Sequence, residues 1–222
     1  MASLGRSIDA AVVPSALPKP PGYYSQSRAE LISDLPRPLG NVLDVGCGKG
    51  GAAEPLRKAG ASSITGIEPN HDAALRARLV YDDVVIARAE DSIGRLVGPF
   101  ETILCYDVLE HLADPASLLV ALRKKAAQDA HLHVSIPNAR HYSLVRDLVV
   151  RGTFGYTEVG HRDSTHLRWF TRRDIVAMVD SAGFSEVSTW HPKARRSIVH
   201  RLTRGRLAEF TFVQWVILAR AN

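Results

Sequence analysis

The sequence predicts an α/β domain, a mostly parallel sheet covered by helices on both faces. Three observations carry that expectation. From residue 41 onward, short apolar and β-branched runs alternate with amphipathic stretches. A glycine-rich turn, Gly46 to Gly51, directly follows the first run. The chain has 222 residues, 45% hydrophobic and 23% charged, so it can bury a core without disulfide or metal staples.

In order, the expected parallel strands are Asn41 to Val45, Ser63 to Glu68, Asp83 to Ala87, Glu101 to Tyr106 and His131 to Ile136, each bounded by turn-forming residues. Helical patterns at about Gly51 to Lys58, His71 to Leu79 and Ala116 to Ala127 lie between them, the last entered through Asp114 and Pro115, a capping residue and a first-turn proline. A helix from Arg172 to Ser181 follows a Thr171–Asp174 capping box and stops at Gly183. Two late strands, Ser185 to Trp190 and Phe210 to Leu218, are expected to pair antiparallel at the sheet edge. Residues 1–21 read as a mobile tail, because Pro14, Pro18, Pro20 and Pro21 break the one apolar stretch before a signal or membrane segment can form. Residues 22–222 then form one domain with insertions at about 139–170, a lid, and 191–208, a basic segment.

Charge and cysteine usage narrow the function classes. Lys and Arg number 28 against 23 Asp and Glu, a net +5, which permits an anionic partner without requiring one. Lys193, Arg195, Arg196, Arg201, Arg204 and Arg206 form a run without acidic residues, but no nucleic-acid motif or stacking aromatic series accompanies it. Cys47 and Cys105, in a glycine turn and an apolar run, read as reduced thiols and suggest a cytoplasmic setting. The oligomeric state stays open, with a homo-oligomer allowed.

The stretch Asn41 to Gly51 leads a buried strand through glycines into a helix, the geometry of a nucleotide site. Gly46, Gly48 and Gly50 let the backbone turn and approach a ligand, although Gly46, Gly48 and Gly51 also fit the dinucleotide pattern. Asp44 separates the two: its carboxylate would repel a pyrophosphate but attract a ligand that carries an ammonium group and no phosphate, such as S-adenosylmethionine. Glu68, closing the second strand, is placed to accept both ribose hydroxyls, and Glu90 with Asp91 to read the adenine edge.

LDVGCGKG, GIEPN, the AED after the third strand and YDVLEHLADP resemble the successive motifs of class I S-adenosylmethionine-dependent methyltransferases over about residues 22–190. The resemblance implies a Rossmann-like fold with a mostly parallel seven-stranded sheet. It also implies that Asp44, Gly46 and Gly48 hold the methionine portion, Glu68 the ribose, and Glu90 with Asp91 the adenine. Tyr24 and Arg28, in the lead-in YYSQSR, would close over the cofactor and pair its carboxylate, and Tyr106 would border it. One departure is Ala87-Arg88, where similar proteins often carry Gly-Asp.

Methyl transfer from a sulfonium is an in-line displacement, which leaves the protein to align the acceptor, remove a hydroxyl proton and exclude water. Glu110, His111 and His166 are the candidate catalytic residues. The pattern Asp107-x-x-Glu110-His111 with distal His166 resembles the ExxEH and downstream His of ubiquinone-pathway catechol O-methyltransferases and small-RNA terminal 2'-O-methyltransferases. In those groups the corresponding side chains bind a divalent cation. The resemblance therefore implies Asp107, Glu110, His111 and His166 as ligands of Mg2+ or Mn2+, with His161 an alternative distal partner and Asp107 one methylene shorter than the family's Glu. The competing readings are His111 as a metal-free base, and His111 as packing.

The expected lid, Asn138 to Phe170, offers His141, Tyr142, Phe154, Tyr156 and Trp169 as walls over the acceptor. IPNARHYS, GHRDSTHLRWFT and AGF are similar to segments of bacterial methyltransferases encoded among surface-polysaccharide enzymes. A saccharide hydroxyl is accordingly the expected acceptor. Methyl transfer to a catechol, amine or carboxylate, and a non-catalytic cofactor-binding regulator, are the alternatives.

Overall fold

A computed structural model of the chain describes residues 22–157, 160–190 and 207–222. The expected N-terminal tail and nearly all of the basic segment lie outside the described residues. Seven strands form one sheet: β1 Gly40–Val45, β2 Ala61–Ile67, β3 Asp83–Val85, β4 Phe100–Tyr106, β5 Ala126–Pro137, β6 Phe184–Trp190 and β7 Gln214–Ala221. Their order is β3-β2-β1-β4-β5-β7-β6, parallel from β3 to β5, with β7 antiparallel to both β5 and β6.

The period-2 alternation of the strands sorts their side chains onto two cores. Leu43, Val45, Ile103, Cys105, Leu132, Val134, Ile217 and Ala219 face one apolar cluster. Val42, Ile64, Val84, Leu104, Tyr106, Val216 and Leu218 face the other. Helices α2 (Ala53–Lys58) and α3 (His71–Ala77), with the short α1 (Ala29–Ile32), cover the second face. The first is covered by the short α4 (Ala89–Ser92), α5 (Pro115–Arg123) and α7 (Arg172–Ser181). Helices on both faces are what βαβ crossovers require.

The local signals act as expected. Asp114 caps α5 by accepting from Ser117 N at 3.1 Å, with Pro115 in the first turn. Thr171 and Asp174 close a complete capping box at α7. Several boundaries differ, β3 ending at Val85 and α3 at Ala77, each two residues short of expectation. The helix expected from Gly51 starts at Ala53, because Gly50 still has a positive φ of +78°, outside the helical range. The helix expected to run through Ala127 stops at Arg123, since Ala126 pairs with Phe100 and opens the long β5. Phe210 belongs to the short α8 (Ala208–Thr211), and β7 begins only at Gln214.

A further difference is a helix, α6 (Tyr142–Val150), inside the expected lid. It buries Leu144 and Asp147. The Asp147 carboxylate meets Arg146 at 2.8 Å, Arg151 at 3.3 Å and Arg162 at 3.2 Å, which ties the helix to the loop carrying His161 and His166.

Leu119 is fully buried against the sheet, so Leu119→Ala should lower stability by about 2–5 kcal/mol. Thr171→Ala removes only a cap and should cost about 1 kcal/mol. Urea unfolding of the two variants checks both the size and the order.

Candidate active site

The carboxyl ends of β1, β2 and β4, with the loop before α7 and the start of β7, enclose a cavity of about 780 Å³. Parallel α/β sheets bind ligands at this edge, where strand ends and helix starts converge.

The glycine turn forms the floor. Gly46 and Gly48 have φ of +76° and +56°, backbone that favours glycine. A Cβ on Gly48 would come within 2.6 Å of the Tyr24 carbonyl oxygen, and one on Gly46 within 2.7 Å of Val108. Lys49 N donates to the same Tyr24 oxygen at 2.8 Å, so the lead-in segment is laid directly on the turn.

Asp44 is 4% exposed and accepts from the Tyr81 hydroxyl at 2.6 Å. Burial pushes its carboxyl up to about 6, while the Tyr81 hydrogen bond and the Arg28 charge pull the other way. It is therefore mainly ionised at neutral pH, as an ammonium partner needs. Glu68 accepts from Gly48 N at 2.9 Å and Asn70 N at 2.8 Å, and burial raises its carboxyl also. Asn70 in turn caps α3 through Ala73 N at 2.9 Å. One carboxylate thus joins the glycine turn to the start of the next helix.

Glu90 and Tyr106 line the cavity, as expected. Asp91 does not: it is exposed on α4 outside the lining, because successive helical residues turn about 100° apart and only Glu90 points inward. The Tyr106 ring borders the cavity while its hydroxyl lies 2.7 Å from His133 Nδ1. Burial pushes the His133 imidazole down to about 3, so it stays neutral.

Tyr24 and Arg28 line the cavity. Arg28 pairs with Asp107 at 2.6 Å. Asp107 also accepts from Ser135 Oγ at 3.0 Å and Gln214 Nε2 at 2.5 Å. These three partners hold Asp107 out of the expected four-ligand set. Glu110, His111 and His166 do converge, with one ligand atom of each within 4.8 Å of the others. The His111 and His166 rings meet edge to face at 4.8 Å, and His166 Nε2 lies 3.9 Å from Glu110 Oε1. His161 lines the cavity but gives its Nε2 to the Val213 carbonyl at 2.6 Å, so it does not replace His166.

Glu110 is 1% exposed, and neither carboxylate oxygen has a hydrogen-bond partner among the described residues. Burial first, then the nearby Asp107 charge, drives its carboxyl well above the usual range. The Glu110 carbonyl accepts from Leu167 N at 2.8 Å and Arg168 N at 3.0 Å, which fastens the distal histidine's loop to the turn after β4. On the lid, Phe154, Tyr156 and Trp169 pack on one another at 5.1 to 6.4 Å and are not part of the cavity wall, in contrast to the expected aromatic lining. Sequence reasoning missed Tyr81, Asp163, Thr165 and Gln214. Tyr81 and Gln214 lie in no quoted motif, Asp163 and Thr165 lie in GHRDSTHLRWFT without a role read for them, and each is brought in by a register or a loop return.

Residues 21–189 match the family described as a methyltransferase domain. A ubiquinone biosynthesis O-methyltransferase of Ralstonia nicotianae is 28% identical over 197 residues, covering 81% of this chain and 75% of that protein. One from Thiobacillus denitrificans is 33% identical over 132 residues, covering 53% of this chain and 56% of that protein. The chain thus matches little more than half the length of this second relative. Among solved structures, an S-adenosylmethionine-dependent methyltransferase of Archaeoglobus fulgidus superposes with TM-score 0.61 at 17% identity, over 81% of this chain and 85% of that one. A putative methyltransferase of Listeria monocytogenes gives 0.62 at 16% identity, over 88% and 96%. The cofactor-side geometry, the sheet order and these likenesses agree: the chain belongs to the methyltransferase domain family, with the class I S-adenosylmethionine-dependent fold.

Proposed function

We propose that this protein transfers a methyl group from S-adenosylmethionine to a hydroxyl of a small acceptor that carries a second oxygen beside it. The observation that carries the reading is the orphaned Glu110 carboxylate, buried between His111 and His166 at the acceptor end of the cavity. A buried polar group without a partner is costly in a protein that has no use for it.

On the cofactor side, Asp44 faces the ammonium, Glu68 the ribose and Glu90 the adenine, while Arg28 serves the carboxylate end. In the transfer, the acceptor oxygen bonds to the methyl carbon, the carbon–sulfur bond breaks and its electron pair stays on sulfur, and the hydroxyl proton leaves. Burial raises the Glu110 carboxyl and so disfavours its ionised form, and His111, an imidazole in the same cluster, is the group we assign to take that proton.

Glu110, His111 and His166 also fit a divalent cation: two imidazoles and an unsatisfied carboxylate are a donor set for Mn2+ or similar ions, whereas Mg2+ prefers more oxygen. Such an ion, when bound, lowers the pKa of a coordinated hydroxyl and fixes its orientation. Asp107, engaged by Arg28, is no part of that set.

The cavity's acceptor end is walled by Leu112, Pro137 and Val213 with Thr165 and Gln214. A flat ring with adjacent hydroxyls suits aliphatic walls, while the lid aromatics on which a saccharide would stack cluster elsewhere. The names of the relatives also point away from saccharides. A catechol-type acceptor is therefore favoured over the sugar that the lid motifs suggest.

Turnover with a catechol should exceed that with a methyl glycoside, should be lost in EDTA and should return with Mn2+ or Mg2+. Glu110→Gln mimics the protonated acid and should lower turnover by about 100-fold if a cation is held. Full activity of that variant in excess EDTA would leave the proton to His111 alone.

Cofactor affinity should fall as pH drops through about 6, where Asp44 protonates. Asp44→Asn should remove that step and weaken S-adenosylhomocysteine binding by roughly 1–3 kcal/mol in calorimetry. The sign for stability is opposite. A carboxyl raised by burial holds its proton more tightly when folded, so the fold loses stability as pH rises from the ordinary carboxylate range through about 6. Free of ligand, the Asp44→Asn protein should therefore melt higher than wild type at pH 8.

A further inference from the structure

Two residues beside the reacting cluster, Asp163 and Thr165, have no role in the chemistry above. His111 Nδ1 lies 3.2 Å from the Thr165 carbonyl oxygen and 3.1 Å from its Oγ1. A carbonyl can only accept, so a hydrogen bond there requires the proton on Nδ1. The Thr165 hydroxyl gives its own hydrogen to Asp163 Oδ1 at 2.7 Å, which turns its oxygen toward His111 as a second acceptor. Asp163 is 2% exposed and takes Thr165 N at 2.9 Å through the same oxygen. One buried carboxylate thus fixes both the main chain and the hydroxyl of Thr165.

A neutral imidazole has one N–H, so a proton held on Nδ1 leaves Nε2 with its lone pair. His166 repeats the arrangement, with Nδ1 3.3 Å from the His161 carbonyl oxygen and Nε2 toward Glu110. Both rings of the cluster are thereby held with accepting nitrogens on the side away from the loop main chain.

We propose that Asp163 and Thr165 are positioning residues that hold His111 as its Nδ1–H tautomer, so that Nε2 meets the acceptor hydroxyl, or the cation beside Glu110, as a lone-pair donor. The proposal rests on the functional reading above for its consequence in turnover, but not for the tautomer itself. An imidazole in the other tautomer could neither take a proton at Nε2 nor ligate through it.

The test is 15N–1H long-range NMR of the histidines in the full-length, cofactor-free protein, joined to kinetics. Wild type should show Nδ1–H for His111. Thr165→Val should shift it toward a mixture and lower kcat by about tenfold or more, with the S-adenosylmethionine KM unchanged. Thr165→Ser should restore both, and Asp163→Ala should move both in the same direction as Thr165→Val. Wild-type affinity for S-adenosylhomocysteine shows that each variant is folded. An Nε2–H signal in the wild type, or a Thr165→Val protein with unchanged tautomer and kcat, would overturn the proposal. A Thr165-dependent tautomer in a protein that methylates neither catechol nor sugar would uphold the positioning and overturn the functional reading.

Discussion

Four carboxylates, Asp44, Glu68, Asp107 and Glu110, are gathered at the carboxyl edge of a parallel sheet, and holding that much acid in one cavity is the constraint on which the rest of the site depends. Burial disfavours the ionised forms of Asp44, Glu68 and Glu110 unless a donor or cation answers them. Asp44 is answered by the Tyr81 hydroxyl, Glu68 by two main-chain N–H groups, and Asp107 by Arg28, Ser135 and Gln214. Glu110 is left without a donor among the described residues. The same compensations explain why the glycine turn, the α3 cap, the lead-in segment and the start of β7 all meet here. Each supplies a hydrogen-bond donor that the sheet edge lacks.

The ion pair between Arg28 and Asp107 shows how tightly the arrangement is held. Both residues have positive φ, 54° and 55°, although neither is glycine. Such backbone costs about 1–3 kcal/mol per residue and persists where the surroundings demand it. The two strained positions face each other across the cavity and join the segment before α1 to the end of β4.

Around the Glu110, His111 and His166 cluster, rigidity comes from a loop rather than from a strand. Leu167 and Arg168 bind the Glu110 carbonyl, Arg162 binds the Asp147 carboxylate of α6, and Asp163 binds Thr165 twice. These bonds place His166 over Glu110 from 56 residues further along the chain. The aromatics Phe154, Tyr156 and Trp169 pack outside that frame, which leaves aliphatic and polar walls at this end of the cavity.

The sequence by itself determined the α/β class, the parallel direction of the first five strands, the antiparallel late strands, and the choice of Asp44, Gly46, Gly48, Glu68 and Glu90 as residues that line the cavity. These are legible because each depends on a local rule: alternation along a strand, glycine in a turn, a carboxylate at a strand end. The end of α5 and the start of β7 were not, since Ala126 and Phe210 have no local preference that outweighs pairing with a neighbouring strand or closing a helix turn. Which acidic residue stays unpaired was likewise beyond the sequence. Asp107 and Glu110 stand three positions apart in one motif, yet Asp107 is paired by Arg28, 79 residues before it, and accepts a hydrogen bond from Gln214, 107 after it, while the Glu110 carboxylate has no such partner among the described residues. Only the tertiary structure decides such a matter, because the energy of a buried charge is set by what long-range folding brings within hydrogen-bond reach.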